Sequence, residues 1–228
     1  MLMKSTLIIG DSHIPFEHRD YLSFCKRIHK AFKCTRVIHI GDLVDNHAIS
    51  YHEKEPDGLS PEQEMALADE HLKPWFKAFP KVYLCRGNHD VLVDRKNRTS
   101  GLPKRCFTPF RDIWKLPKTW QDAFEWEFDG VLYKHGTGHS GKYGHVGAAT
   151  DARQSAVIGH LHSVAGVEWM ANSKEVMFGM SVGCGIDRKK YAFKYGKDFR
   201  RKPILGCGVV TASTRGVNAK FIPMKMGA

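Results

Sequence analysis

The sequence predicts an α/β fold built on a parallel sheet, and three observations carry that expectation. An apolar run at residues 4–9, a helical stripe from Tyr21 to Phe32 and a second apolar run at 37–40 succeed one another as strand, helix and strand. That order favours parallel pairing with right-handed crossovers. The alternation continues through a capped helix after Ser60 to a third short run at 82–86. Finally, the residues able to do chemistry fall directly after these runs, where strand ends of an open α/β sheet border the ligand crevice.

Residues 4–9 are read as the first strand. After Pro15, Asp20 is placed as the N-cap of a helix whose apolar face is Tyr21, Phe24, Cys25, Ile28 and Phe32, a 3.6-residue period. Val37-Ile38-His39-Ile40 forms the second strand, and residues 46–59 read as a loop. Ser60-Pro61-Glu62-Gln63 combines an N-cap, a proline at the first helical position and a capping-box glutamine, so a long helix starts there. Its buried stripe is Met65, Ala68, Leu72, Trp75, Phe76 and Phe79, and Pro74 is expected to kink or split it.

After the third strand the periodicity dissolves between 94 and 121, where cations and prolines mix with Phe107, Phe110, Trp114 and Trp120. This segment is expected as an insertion or partial cap. Residues 124–128 and 131–135 alternate about Asp129-Gly130, a two-residue hairpin signal. A glycine-rich loop, 136–144, leads to a short helix near 146–153 and a buried strand at 156–158, and 163–182 and 204–223 read as antiparallel strands. At 228 residues the chain is expected to be a single domain, 1–228, since one core can reach that size.

Composition narrows the function classes. Apolar residues make 42% and charged residues 26%, as in a globular protein, and no apolar run approaches the roughly 18 residues of a membrane helix. The short apolar start is not a secretion signal, so a cytoplasmic location without membrane association is expected. Six cysteines without a Cys-x-x-Cys spacing are read as reduced thiols rather than a zinc finger. The net charge is +11, but residues 95–118 hold eight Lys/Arg against Asp112, and 187–202 hold eight against Asp187 and Asp198. These two segments carry the entire excess, which points to an anionic partner.

Five short motifs carry the chemistry: Asp11-Ser12-His13, Gly41-Asp42-Leu43-Val44-Asp45, Arg86-Gly87-Asn88-His89-Asp90, His135-Gly136 and Gly159-His160-Leu161-His162. On an extended chain, residues two apart project to one side, so Asp11 with His13, and His160 with His162, can each reach one ion. Seven oxygen and nitrogen donors converge: Asp11, His13, Asp42, Asn88, His135, His160 and His162. Such a mixture suits Mn, Fe, Zn, Co or Ni better than Mg or Ca. Only two of the seven, Asp11 and Asp42, are carboxylates, so a metal centre built on this set stays cationic and attracts an anion.

This succession resembles the calcineurin-like metallophosphoesterase superfamily over residues 11–162. The resemblance implies a four-layer α/β/β/α sandwich of two mixed β-sheets flanked by helices. It also implies two divalent metal ions, manganese foremost: Asp11, His13 and His162 on one, Asn88, His135 and His160 on the other, and Asp42 bridging. A metal-activated hydroxide would attack phosphorus, since coordination lowers the pKa of water toward roughly 7. His89 resembles the family's catalytic histidine, which protonates the leaving alkoxide, and Asp45 would orient it. Purple acid phosphatases carry a tyrosine at the position of Asp45, so a coloured ferric centre is not expected.

Arg86 is a candidate phosphate contact, and His139 a candidate lining residue of the substrate pocket. Asp90 is read as capping the following turn, His39 as a core residue or one supporting the metal ligands, and His29 as a helix-surface one. The expected activity is hydrolysis of a phosphate ester, with a phosphodiester, nucleotide or nucleic acid preferred over a small or protein phosphomonoester, and a non-catalytic binding scaffold as the rival. The preference rests on both basic, aromatic-rich segments, 95–118 and 187–202; in the second, Tyr191, Phe193, Tyr195 and Phe199 interleave seven cations, an arrangement suited to single-stranded nucleic acid. A plain solvated face is the competing reading.

Overall fold

The computed structural model describes residues 4–51, 54–190, 192–193, 200–214 and 216–225. They form two mixed sheets. The first has the order β11-β10-β1-β2-β3-β4, with β1 (Lys4–Ile9), β2 (Arg36–His39), β3 (Val82–Cys85), β4 (Trp120–Ala123), β10 (Gly206–Ser213) and β11 (Gly216–Pro223). Here β1 to β4 run parallel and the last two strands return antiparallel. The second sheet is β5-β6-β7-β9-β8, from β5 (Glu125–Phe128), β6 (Val131–Lys134), β7 (Ser155–Ile158), β8 (Ala165–Ala171) and β9 (Val176–Val182). Its centre, β6, β7 and β9, is parallel.

The period-two pattern of the strands builds the layers. In β1, Leu7 and Ile9 join a core with α1 (Tyr21–Ala31) and α2 (Pro61–Ala78), while Ile8 joins the core between the sheets. Ile38, Cys85, Tyr133, Val157, Phe178 and Met180 complete that inter-sheet core. On the outer face of the second sheet, Ala148 and Ala149 of α5 (Gly144–Ala152) pack on Leu132, Ala156 and Ile158. Helices, sheet, sheet and helix therefore stack as four layers.

Local chemistry explains the start of α2. Ser60 Oγ accepts from Gln63 N–H at 3.3 Å while the Gln63 side chain accepts from Ser60 N–H at 3.0 Å, closing the capping box of α2. Pro74 does not split this helix, which runs unbroken to Ala78. An interior proline costs about 3 kcal/mol. Burial of Leu72, Trp75 and Phe79 in the same two turns outweighs it, at about 1.5–3 kcal/mol per large apolar side chain. Asp20 does precede α1, but its side chain makes no capping hydrogen bond.

Residues 94–121 include most of α3 (Leu92–Thr99), all of α4 (Phe110–Ile113) and the start of β4. Phe110, Trp114 and Trp120 are buried in the core beneath α2. The hairpin of β5 and β6 turns at Asp129-Gly130 as expected. All six cysteines are free thiols. No helix of the described residues is long and apolar enough to cross a membrane. Of the basic segment 187–202, Tyr191 and residues 194–199 lie outside the described residues.

Candidate metal centre

The loops that follow β1, β2, β3, β6 and β7 bring the donors together. Asp11, His13, Asp42 and His162 offer ligand atoms within 4.8 Å of one another, and so do Asp42, His135 and His160. The two groups share Asp42. Its Oδ2 lies 3.6 Å from His13 Nε2 on one side and 3.2 Å from His135 Nε2 on the other, while its Oδ1 accepts the His89 backbone N–H at 2.8 Å. Asn88 Oδ1 adds a neutral oxygen 2.9 Å from His135 Nε2.

His160 and His162 separate into different groups, so the paired spacing does not chelate one ion as extended geometry suggests. The backbone is the reason. His13, Asp42 and His160 all adopt left-handed φ, at 49°, 47° and 63°, which turns each side chain off the alternation of a strand. Each such residue costs about 1–3 kcal/mol, and three of them in one pocket mark a site whose geometry is imposed by its surroundings.

The donor set fits divalent cations. His13 Nδ1 donates to Asp45 Oδ1 at 2.6 Å and His135 Nδ1 donates to the Ile40 carbonyl at 3.2 Å, which leaves Nε2 of both rings for a ligand. His13 Nε2 and His162 Nε2 stand 3.1 Å apart, and Asp11 Oδ2 is 3.1 Å from His162 Nε2. Asp11 Oδ1 is buried with no hydrogen-bond partner. Burial alone would raise the Asp42 pKa, but the charges of His135 and His89 outweigh it and hold the group well below the ordinary carboxylate value. Imidazoles and carboxylates buried this close together are able to hold a cation among them.

Two glycines make room for the carboxylates. A Cβ on Gly87 would stand 2.1 Å from Asp42 Oδ1, and one on Gly159 would stand 2.1 Å from Asp11 Oδ1. Asp90 ties two motifs together, its Oδ2 accepting from Gly87 N–H at 2.8 Å and its Oδ1 from Val44 N–H at 3.3 Å. Burial, then the nearby Asp42, push its pKa up to about 7.

The model of the calcineurin-like phosphoesterase family matches residues 4–178. The chain belongs to that family. No curated protein matches it. Among solved structures it is similar to a phosphatase from Mycoplasma pneumoniae (13% identity, 98% of this chain and 94% of that one, TM-score 0.48). It is also similar to Vacuolar Protein Sorting 29 from Cryptosporidium parvum (12%, 99% and 100%, 0.45) and to nuclease MPE from Pseudomonas putida (16%, 96% and 87%, 0.37).

Calcineurin-like phosphoesterases are dinuclear metal-dependent, and the His/Asp clusters of this chain are able to bind metal. Beside them, His13, Asp45 and His89 form a third group. Asp45 uses its carboxylate chiefly on His13. His89 Nδ1 instead donates to the Asp45 backbone carbonyl at 2.6 Å, with the carboxylate farther off at 3.4 Å. Burial opposes a charged His89 ring, yet Asp42 and Asp45 outweigh it and raise the pKa. Burial pushes Asp45 itself up to about 6.

Arg86 is engaged rather than extended. Its guanidinium binds the buried Asp122 carboxylate, with Nε at 2.8 Å, between the rings of Phe110 and Phe124. Arg111 shares that carboxylate at 2.9 Å, so one positive charge is left over. His139 lies in the loop after His135, with Nδ1 3.9 Å from Asp151. His39 is fully buried against Ser12 Oγ at 2.9 Å, and burial lowers its pKa to about 4. Glu64 is a contributor that the sequence hid inside a helical stripe: its two oxygens accept from the His47 and Ala48 N–H groups, each at 2.7 Å, and hold the turn after Asp45. In the basic segment, Phe193 is buried against His13, ring centroids 5.7 Å apart, and forms a wall of the centre.

Proposed function

We propose that this chain is a dinuclear metal-dependent phosphoesterase that hydrolyses a P–O ester bond, with a phosphodiester or nucleotide as substrate. The observation that carries the reading is the pair of donor groups joined through Asp42. Asp11, His13 and His162 would hold one ion, Asn88, His135 and His160 the other, and Asp42 both. Bound there, two divalent cations would supply a nucleophilic water of lowered pKa and neutralise the phosphoryl oxygens.

The remaining steps belong to the protein. His89, with Nδ1 committed to the Asp45 carbonyl, presents Nε2 as the atom that carries a proton. Its raised pKa keeps that proton available near neutrality, where it passes to the departing alkoxide oxygen. Asp45 sets the tautomer of His13, and Asp90 holds the Gly87-Asn88 turn against Val44. The charge left over on the Arg86–Asp122–Arg111 cluster attracts a phosphate beside this centre. The excess of cations in 95–118 and 187–202 supports a diester over a small monoester.

The test is hydrolysis of bis(p-nitrophenyl) phosphate and p-nitrophenyl phosphate by the full chain, stripped of metal and then supplied with Mn. Metal-dependent turnover, faster on the diester, is expected. A folded protein that takes up no Mn and turns over neither ester would make it a binding scaffold instead.

A further inference from the structure

We infer that the rim of the metal centre is a base-stacking platform for single-stranded nucleic acid, built from Tyr51, Phe124 and Tyr143. The inference rests on the proposed phosphodiesterase reading and goes beyond it by naming the strand form and the residues that grip it. Among the described residues, the exposed large aromatic side chains are these three and Trp169. Trp169 lies on edge strand β8 and packs on Phe178, with centroids 5.1 Å apart. The other three stand 59–61% exposed, Tyr51 and Tyr143 on loops that follow candidate ligands and Phe124 in the link from β4 to β5.

Their positions follow from the fold. Tyr51 lies five residues after Asn46, whose Nδ2 donates to the His89 carbonyl at 3.0 Å. Phe124 follows β4, whose Ala123 carbonyl accepts from Arg86 N–H at 2.7 Å, two residues before Asn88. Tyr143 ends the glycine-rich loop that starts after His135. Each of the three thus follows, along the chain, a strand end or loop that carries the centre.

Each ring also has a cation beside it. Arg95 and Lys96 of α3 lie 5.1 and 4.6 Å from the Tyr51 centroid, Arg86 lies 5.8 Å from Phe124 and Lys142 lies 5.0 Å from Tyr143. A ring with an adjacent cation answers both halves of a nucleotide, the base by stacking and the phosphate by charge. A duplex hides the faces of its bases, whereas a single strand offers them. Stacking does not read base edges, so the rim predicts little sequence preference.

The experiment is fluorescence anisotropy of the Mn-supplied full chain, read on mixing with a labelled single strand of about 15 nucleotides. A duplex of the same length and an abasic strand of the same charge are the comparisons. With three rings each contributing about tenfold, the intact strand should bind about a thousandfold more tightly than the abasic one. Tyr51→Ala and Tyr143→Ala should each weaken it by about tenfold, leave the abasic strand unaffected and keep the wild-type melting temperature, and Tyr51→Phe should restore binding. Equal affinity for intact and abasic strands, or unaltered binding in both alanine variants, would overturn the inference. Base-dependent binding without turnover of the small diester would uphold the rim and remove the hydrolase reading; turnover without base-dependent binding would do the reverse.

Discussion

The Asp45 carboxylate stands 2.6 Å from Nδ1 of His13, closer than it stands to His89 at 3.4 Å. It therefore acts on a candidate ligand more than on the candidate proton donor. A carboxylate in this position fixes the ring tautomer and increases the basicity of Nε2, and its loss lowers metal affinity about 10- to 100-fold. Asp45→Asn should weaken Mn binding within that range, measured by calorimetric titration. An unaltered affinity with reduced turnover would return Asp45 to the role of orienting His89.

Asn88 and His89 are adjacent yet point to different tasks. Asn88 Oδ1 faces His135 Nε2, whereas the His89 ring hangs from the Asp45 carbonyl. Asn88→Ala should lose metal and activity together, by metal analysis and ester turnover on one preparation. His89→Ala should retain its metal content and lose about 10²- to 10⁴-fold in turnover, the scale of general acid catalysis. An emptied site in the His89 variant would merge the two roles.

Much of this arrangement was legible before the structure. The Ile8/Leu7 and Ile38/Val37 alternation, the Ser60 capping box and the Asp129-Gly130 turn are local signals, and local signals survive folding when packing agrees with them. The seven donors could be named from their motifs, but their partition came only through the family resemblance, since the paired spacing by itself suggests otherwise. Left-handed φ at His13, Asp42 and His160 is imposed by neighbouring loops and leaves no mark on the residue types. Helix α3 escaped notice because Leu92 is its buried residue, too little to set a period. Glu64 was not singled out and Asp90 was read only as a turn cap, because a buried carboxylate holding backbone N–H groups of another loop resembles any helix or turn acid in sequence.

Close approach at Gly87 gives a test of preorganisation. A methyl there would lie 2.1 Å from Asp42 Oδ1 and 2.4 Å from Asp42 N, and the backbone atom cannot yield cheaply. Gly87→Ala should destabilise the fold by about 1–3 kcal/mol in urea and reduce metal uptake. Gly147, inside α5, has His139 Nδ1 as its nearest neighbour at 3.7 Å, so Gly147→Ala should stabilise by about 0.5–1 kcal/mol through helix propensity. If both variants behaved alike, crowding at Asp42 would not be the cause.

A contact away from the ligands makes stability depend on pH. His71 on α2 donates through Nδ1 to Glu17 Oε1 at 2.9 Å, anchoring the loop after β1, and this bond raises the His71 pKa against the opposing effect of burial. The folded state thus holds the proton more tightly than the unfolded chain, whose histidines titrate near 6.5. The contribution is full below pH 6.5 and is lost as pH rises through the elevated folded value. Urea midpoints of wild type and Glu17→Gln, taken at pH 5.5, 7 and 8.5, should differ most at the lowest pH and converge at the highest. A difference that grew with pH would reverse the sign and show that Glu17 stabilises the loop by some route other than the His71 proton.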